Sequence, residues 1–253
     1  MTKKAYPLRV IQLSDCHVSA DPESDYRGQN ADRNLSSVLI AVEAWQPDLI
    51  LLTGDVSEDA SKPSYQRVSE RLASCMVPVL ALPGNHDDPL VMRDFFPTGP
   101  WQGPHVTIAE NWRLILLDST EGGRVSGLLD QHSLGWLESE FQSNEDCHHL
   151  VALHHQPVEV GSAWIDRYRL ETPEPFLQLV EQVSSLRCVA WGHVHHDFTL
   201  NRGGVNFLGA PSTAANSLPG TERFTLDATG PACRWLKLYP DGQLETGLLF
   251  AAD

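Results

Sequence analysis

Histidine, aspartate and asparagine recur in five short blocks: Asp15-Cys16-His17, Gly54-Asp55, Gly84-Asn85-His86-Asp87, His154-His155 and Gly192-His193-Val194-His195. Imidazole and carboxylate donors suit zinc, manganese, iron or cobalt. Together the blocks supply enough ligands for two ions. Two ions side by side are a device for breaking phosphate esters, because they polarise a phosphoryl oxygen and acidify water. The carboxylate of Asp55 has two oxygens with which to bridge a pair of ions, and Asn85 offers a neutral carbonyl oxygen. In extended backbone, residues two apart point to the same side, which would pair Asp15 with His17 and His193 with His195. Gly54 and Gly192 let the chain turn close to the ions.

These blocks have to be positioned, and short apolar runs precede them. LRVIQL (8–13) reads as a strand just ahead of Asp15, LILLT (49–53) as a buried strand ending at Gly54-Asp55, and 77–82 as a strand ending at Pro83-Gly84-Asn85. Residues 150–153 and 188–191 read as strands ending at His154 and Gly192-His193. Helical spacing of apolar residues predicts helices over 34–45, 64–74, 130–141 (with Asp130 as N-cap) and 175–183. Hairpin signals lie at Glu110-Asn111 and Asn201-Arg202-Gly203-Gly204, and the final 30 residues read as strands around Asp241-Gly242. Alternating strands and helices imply an α/β fold with parallel packing and right-handed crossovers. In such sheets ligands gather outside the carboxyl ends of the strands, so the blocks should converge on one rim. With no repeat or linker visible, residues 1–253 read as a single domain.

The formal net charge of −15 disfavours long nucleic acids and anionic membranes, since both demand phosphate neutralisation by basic residues. A small anionic substrate is still permitted, because bound cations reverse the local field. Five scattered cysteines without a CxxC pair read as free thiols in a reducing compartment. The N-terminal MTKKAYPLRVIQLSD has no sustained apolar core of a leader, and no run approaches the roughly 18 residues of a spanning helix. The expectation is a cytoplasmic protein, with homo-oligomerisation left open.

The order D-x-H, G-D, G-N-H-[DE], a later His and G-H-x-H resembles the calcineurin-like metallophosphoesterase family over about residues 8–249. His154-His155-Gln156-Pro157 with Ser162–Asp166, Ala210-Pro211-Ser212-Thr213 and Arg234–Leu238 are similar to its bacterial 3′,5′-cyclic AMP phosphodiesterases. The resemblance implies a four-layer αββα sandwich with a dinuclear site at one edge. Asp15, His17, Asp55 and His195 would hold one ion, and Asp55, Asn85, His154 and His193 the other. His86 would stay off the metals and face the scissile phosphate as a proton donor. The implied activity is hydrolysis of 3′,5′-cyclic AMP to 5′-AMP by a metal-bridging hydroxide. The alternatives are a phosphodiesterase for 2′,3′-cyclic nucleotides or glycerophosphodiesters, and a non-catalytic scaffold.

Around the blocks, Cys16 is expected to point away from the metals. His155 is expected to face opposite His154, as packing or as a substrate contact, and Asp87 either orients His86 or caps a turn. His105, His132, His148, His149 and His196 read as solvated or structural. The polar stretch Asp21–Arg33 reads as a loop that could lid the site. From it Arg27 or Asn30 could reach a phosphate or ribose, and Tyr26 and Trp164 offer rings for a purine.

Overall fold

Strands β1 (Leu8–Leu13), β4 (Leu49–Thr53) and β5 (Val79–Leu82) are mostly apolar and largely buried, as expected of parallel strands covered on both faces, with Arg9, Gln12 and Thr53 the polar exceptions. They pair in parallel, with Ile11 opposite Ile50 and Leu52 opposite Ala81. The computed structural model, which describes residues 6–252, adds β12 (Ala232–Leu238) and β13 (Leu244–Phe250) antiparallel beside β1, giving the order β13-β12-β1-β4-β5. The basic start at Met1–Ala5 lies outside the described residues. A second sheet is built from β6 (His105–Ala109), β7 (Trp112–Leu116), β8 (His148–Leu153), β9 (Leu186–Trp191), β10 (Phe198–Arg202) and β11 (Val205–Gly209), in the order β10-β11-β9-β8-β7-β6.

Alternation of side chains along each strand divides the core into three. Val10, Leu49, Leu51, Leu80 and Leu82 meet Trp112, Leu114, Leu116, Leu150, Ala152 and Ala190 between the sheets. The opposite residues of β1 and β4, Ile11, Leu13, Ile50 and Leu52, pack under α1 (Ala31–Trp45) and α2 (Lys62–Ala73). Val151, Leu153, Val189 and Trp191 pack under α4 (Gln131–Ser143) and α6 (Glu174–Gln182). The result is a four-layer αββα sandwich. The short helices α3 (Pro89–Met92) and α5 (Ala163–Asp166) lie in connections. Buried Arg234 on β12 donates to the Gly209 and Phe198 carbonyls of the other sheet and pairs with Asp197, fastening the two sheets along one side.

Sequence boundaries move where local polar chemistry intervenes. Helix α1 begins three residues before the expected start, because the Asn30 side chain accepts from the Arg33 amide as N-cap. The stretch Asp21–Arg33 is not a plain loop: β2 (Asp25–Tyr26) and β3 (Gln29–Asn30) form a hairpin across Arg27-Gly28, both at positive φ (53° and 79°). That is the signature of a type I′ turn. The hairpin after β10 turns on Gly203-Gly204 alone, β10 having absorbed Asn201 and Arg202.

Strands β1, β4, β5, β8 and β9 present their carboxyl ends at one rim, where the sheets come together through glycines. A Cβ on Gly192 would lie 2.7 Å from the Thr53 carbonyl oxygen, and one on Gly54 would lie 2.5 Å from His154 Nδ1 and 2.7 Å from the Gly84 amide. Gly192→Ala is therefore expected to cost about 1–3 kcal/mol through overpacking, a melting temperature several degrees lower. Gly135→Ala, on the exposed face of α4 with nothing within 4 Å of the new methyl, should instead stabilise by roughly 0.5–1 kcal/mol. Thermal denaturation of the pair checks both signs.

Candidate metal centre

The rim residues do not lie in extended backbone. Asp15, His17, Asp55, His193 and His195 all have positive φ, between 44° and 67°. Such conformations cost about 1–3 kcal/mol each and persist where the surroundings impose them. The imposing contacts are visible: the Asp15 and His17 amides donate to the Gly54 and Asp55 carbonyls, and the His193 amide donates to both oxygens of the Asp15 carboxylate. So Asp15 and His17 are brought to one donor grouping by left-handed turns, not by strand alternation, whereas His193 and His195 fall in different groupings.

Hydrogen bonds fix which nitrogen of each ring points inward. His195 Nδ1 donates to the Ala215 carbonyl (2.8 Å), His154 Nδ1 donates to the Thr53 carbonyl (2.8 Å), and His17 Nδ1 donates to the Glu58 carboxylate (2.7 Å). A carbonyl or carboxylate can only accept, so each neutral ring carries its lone pair on Nε2. Those lone pairs face other acceptors. His17 Nε2 and His195 Nε2 are 3.2 Å apart, and His195 Nε2 is 3.2 Å from Asp15 Oδ1. His154 Nε2 is 3.3 Å from Asn85 Oδ1 and 3.4 Å from Asp55 Oδ2. Asp55 joins the two groups differently from expectation. Its Oδ1 is taken by the His86 amide, and Oδ2 alone faces both His154 and, at 3.7 Å, His17. Buried His193 has an Nε2 with no partner among the described residues.

Electrostatics follow the same pattern. Burial works to raise Asp15 and Asp55, but the adjacent histidines outweigh it and hold both carboxyls below their ordinary value. Burial pushes His17 and His193 down, keeping them neutral. Burial also opposes charge on His154, yet the Asp55 carboxylate beside it lifts the ring to about 9 in the absence of a cation. Anionic carboxylates and neutral imidazoles with inward lone pairs are what a metal requires, so the donor set fits divalent cations. Three buried donor groupings come within coordination reach: Asp15-His17-His195, Asp15-Asp55-His154 and His154-His155-His193.

Supporting residues come from distant parts of the chain. The Ser212 hydroxyl donates to the Asp15 carbonyl and accepts from the Ala214 and Ala215 amides, locking the loop whose carbonyl sets His195. Glu58 is a functional residue that no motif in the sequence marks. It lies three residues past Asp55 in a polar turn, and its carboxylate holds both His17 Nδ1 and, at 3.2 Å, His86 Nδ1. His86 itself is exposed at the mouth. Asp87 neither orients His86 nor caps a helix. It accepts from the Gly84, Val56 and Ser57 amides and the Tyr65 hydroxyl, tying the turn after β5 to the turn after β4, and Asp88 is the cap of α3. Cys16 is buried, its thiol pushed up to about 12 by desolvation.

Of the candidate substrate contacts, two are spent on structure. The Asn30 side chain caps α1 and donates to the Pro22 carbonyl. His155 is fully buried, with Nδ1 on Ser119 and Nε2 on the Val125 carbonyl. Nor does it face away from the cluster, since its ring is 4.7 Å from that of His193. Trp164 is half-buried with its ring 6.2 Å from His195, at the site. Tyr26 already stacks on His17.

A family model described as calcineurin-like phosphoesterase matches residues 8–197. The chain belongs to the calcineurin-like phosphoesterase family. It is 38% identical over 241 residues to the 3′,5′-cyclic adenosine monophosphate phosphodiesterase CpdA of Pseudomonas aeruginosa, covering 94% of this chain and 88% of that one. It is 33% identical over 249 residues to CpdA of Escherichia coli K12, covering 97% and 90%. Among solved structures it is similar to a dimetal phosphatase from Danio rerio (TM-score 0.70, 16% identity, 97% of this chain and 100% of that one). A purple acid phosphatase from yellow lupin matches at TM-score 0.66 and 12% identity, over 98% of this chain and 54% of that one. These two likenesses establish the shared fold.

No donor grouping among the described residues includes His105, His132, His148, His149 or His196. His149, packed edge-on to Phe141, is kept neutral by burial, its pKa lowered to about 4. The unfolded ring binds a proton near 6.5, so between 6.5 and 4 the unfolded chain holds more protons and stability falls as pH falls. Melting temperatures between pH 7.5 and 5 should drop less steeply in His149→Phe than in the wild type. Identical slopes would show that His149 is not the acid-sensitive group.

Proposed function

We propose that this chain is a metal-dependent phosphodiesterase that hydrolyses 3′,5′-cyclic AMP to 5′-AMP, as one catalytic unit. Asp15, His17, Asp55 and His195 hold one ion; Asp55, Asn85, His154 and His193 hold the second. The observation that carries this reading is the gathering of His17, His154 and His195 Nε2 with the Asp15 and Asp55 carboxylates in one small buried volume, with Asp55 Oδ2 between His17 and His154. Cations between these groups remove the repulsion that, without them, protons such as that on His154 relieve only in part. Imidazole and carboxylate donors favour iron, manganese, zinc or cobalt. When bound, such ions supply Lewis acidity toward a phosphoryl oxygen and acidify water near neutrality. The substrate is supported by the CpdA relatives, which match nearly end to end.

The chain's own residues do the rest. Water adds to phosphorus, the bond from phosphorus to the 3′ oxygen breaks, and that oxygen takes a proton. Glu58 engages His86 through Nδ1, so His86 can act as the acid only as an imidazolium, giving the second proton, on Nε2 at the exposed mouth, to the leaving 3′ oxygen. Glu58 also supports His17 in the orientation that presents its lone pair. Among the described residues no helix is long and apolar enough to cross a membrane, and the net charge of −15 suits a small diester better than a polynucleotide. All five cysteines are free thiols, which fits action in a reducing cytoplasm.

Metal-reconstituted protein should hydrolyse 3′,5′-cyclic AMP in a panel with 2′,3′-cyclic AMP and bis-p-nitrophenyl phosphate. Turnover of only the last two would sink the substrate while keeping the metal reading, and turnover of none with metal bound would favour a scaffold. His86→Ala should lower turnover by roughly 10²–10⁴-fold with metal content unchanged. Loss of metal would mean the residue is misassigned. Glu58→Gln should weaken metal binding by about 10–100-fold, read by competition with a chelator, and an unchanged affinity would remove Glu58 from the ligand support.

A further inference from the structure

Beyond the donors, the mouth of the site carries an aromatic collar with a single guanidinium at its centre. Tyr26 stacks on His17 with centroids 4.1 Å and planes 12° apart. Trp164 and Phe224 each meet His195 at 6.2 Å and each other at 5.5 Å. All three rings therefore touch proposed ligands of the first ion. The Arg27 guanidinium carbon lies 4.1 Å from the Phe224 centroid, 5.5 Å from Tyr26 and 5.8 Å from Trp164. Its Nε donates to the Tyr26 hydroxyl at 3.1 Å.

Two features set this arginine apart. Arg27 has no carboxylate partner and no hydrogen bond from either Nη among the described residues; it shares the lack of a carboxylate partner with Arg9, Arg93, Arg167, Arg187 and Arg223, but its guanidinium lies over three rings at the mouth of the site. In a chain of net charge −15, an exposed and unpaired cation beside a carboxylate-lined site is out of keeping with its surroundings. Arg27 also occupies the first central position of a type I′ turn at φ 53°, where asparagine, aspartate or glycine is the unstrained choice. The exposed cation–π contacts offset only part of that cost. A side chain held at such a position, with its guanidinium carbon over the collar and its two Nη groups free of partners among the described residues, is preorganised for something outside the protein.

We propose that Arg27 is the anion receptor of this site, its Nη groups donating to the non-bridging oxygens of a singly charged phosphate diester while Phe224, Tyr26 and Trp164 hold the guanidinium plane. This rests on the phosphodiesterase reading and names the residue that recognises the phosphate of the substrate. A diester offers two equivalent oxygens to a planar fork, which lysine cannot match geometrically.

Calorimetric titration of metal-loaded protein with 5′-AMP, inorganic phosphate and adenosine tests the assignment. Arg27→Ala should weaken 5′-AMP and phosphate alike, by about 10- to 100-fold, the worth of charge-assisted hydrogen bonds, and leave adenosine unaffected. For the diester it should raise KM by a similar factor with kcat nearly unchanged. Arg27→Lys should recover only part of the loss. Phe224→Ala should weaken phosphate binding, and the double variant should bind no more weakly than Arg27→Ala alone. A change below twofold for both phosphate ligands overturns the proposal, as does a loss confined to adenosine, which would make the collar a platform for the base. Should Arg27→Ala melt far below the wild type, Arg27→Gln gives the same reading with the turn hydrogen bonds preserved. If the wild type hydrolyses no cyclic nucleotide yet Arg27→Ala loses phosphate, the substrate reading fails and the anion receptor stands.

Discussion

Two imidazole lone pairs 3.2 Å apart are the constraint on which this site depends. The Ala215 carbonyl dictates the tautomer of His195 and Glu58 that of His17, so neither ring can rotate the conflict away without abandoning a buried hydrogen bond. Asp15 and Asp55 add negative charge to the same small volume. A protein that buries such a set has to balance it with protons or with metal. Protonating His154 against Asp55 is the metal-free compromise. Cations satisfy the whole set at once, because each faces several donors already stripped of water and oriented.

The fold serves this convergence at one place. Two sheets that bury their apolar faces against each other along their length have to come closest at the rim, and ordinary side chains would wedge them apart. Gly54, Gly84 and Gly192 remove that wedge, bringing the Thr53 carbonyl of one sheet to His154 of the other. Left-handed backbone at Asp15, His17, Asp55, His193 and His195 then turns the ligands inward. Local strain in the turns is carried by the stiff strands behind them, and the Ser212 and Asp87 networks hold the loops in place.

Much of this was legible in the sequence, for physical reasons. LRVIQL and LILLT announce themselves because strands buried on both faces are mostly apolar, and the histidine and aspartate blocks follow directly at their ends. The gathering of these blocks at one rim could be read because parallel strands share an orientation. Conformation at the rim could not, since positive φ is imposed by cross-strand hydrogen bonds and Asp15-Cys16-His17 carries no glycine to signal it. Glu58 was invisible because one acid in the polar run Ser57–Ser61 looks like any solvated turn. Phe224 stands nearly 200 residues from Arg27 in an irregular segment, and only the folded chain puts its ring against the guanidinium. Asn30 and His155 looked available because sequence does not reveal that a helix cap or a Ser119 hydroxyl already occupies a polar group.

On the proposed function, the inward Nε2 atoms and the carboxylates hold two cations sharing Asp55. Anomalous X-ray scattering from crystals of manganese-loaded protein, recorded at the metal edge, tests this most directly. Two peaks are expected on the rim, each within about 2.0–2.3 Å of an oxygen of Asp55, one beside His17 and His195 and the other beside His154 and Asn85. A single peak, or two peaks with neither touching Asp55, would contradict it.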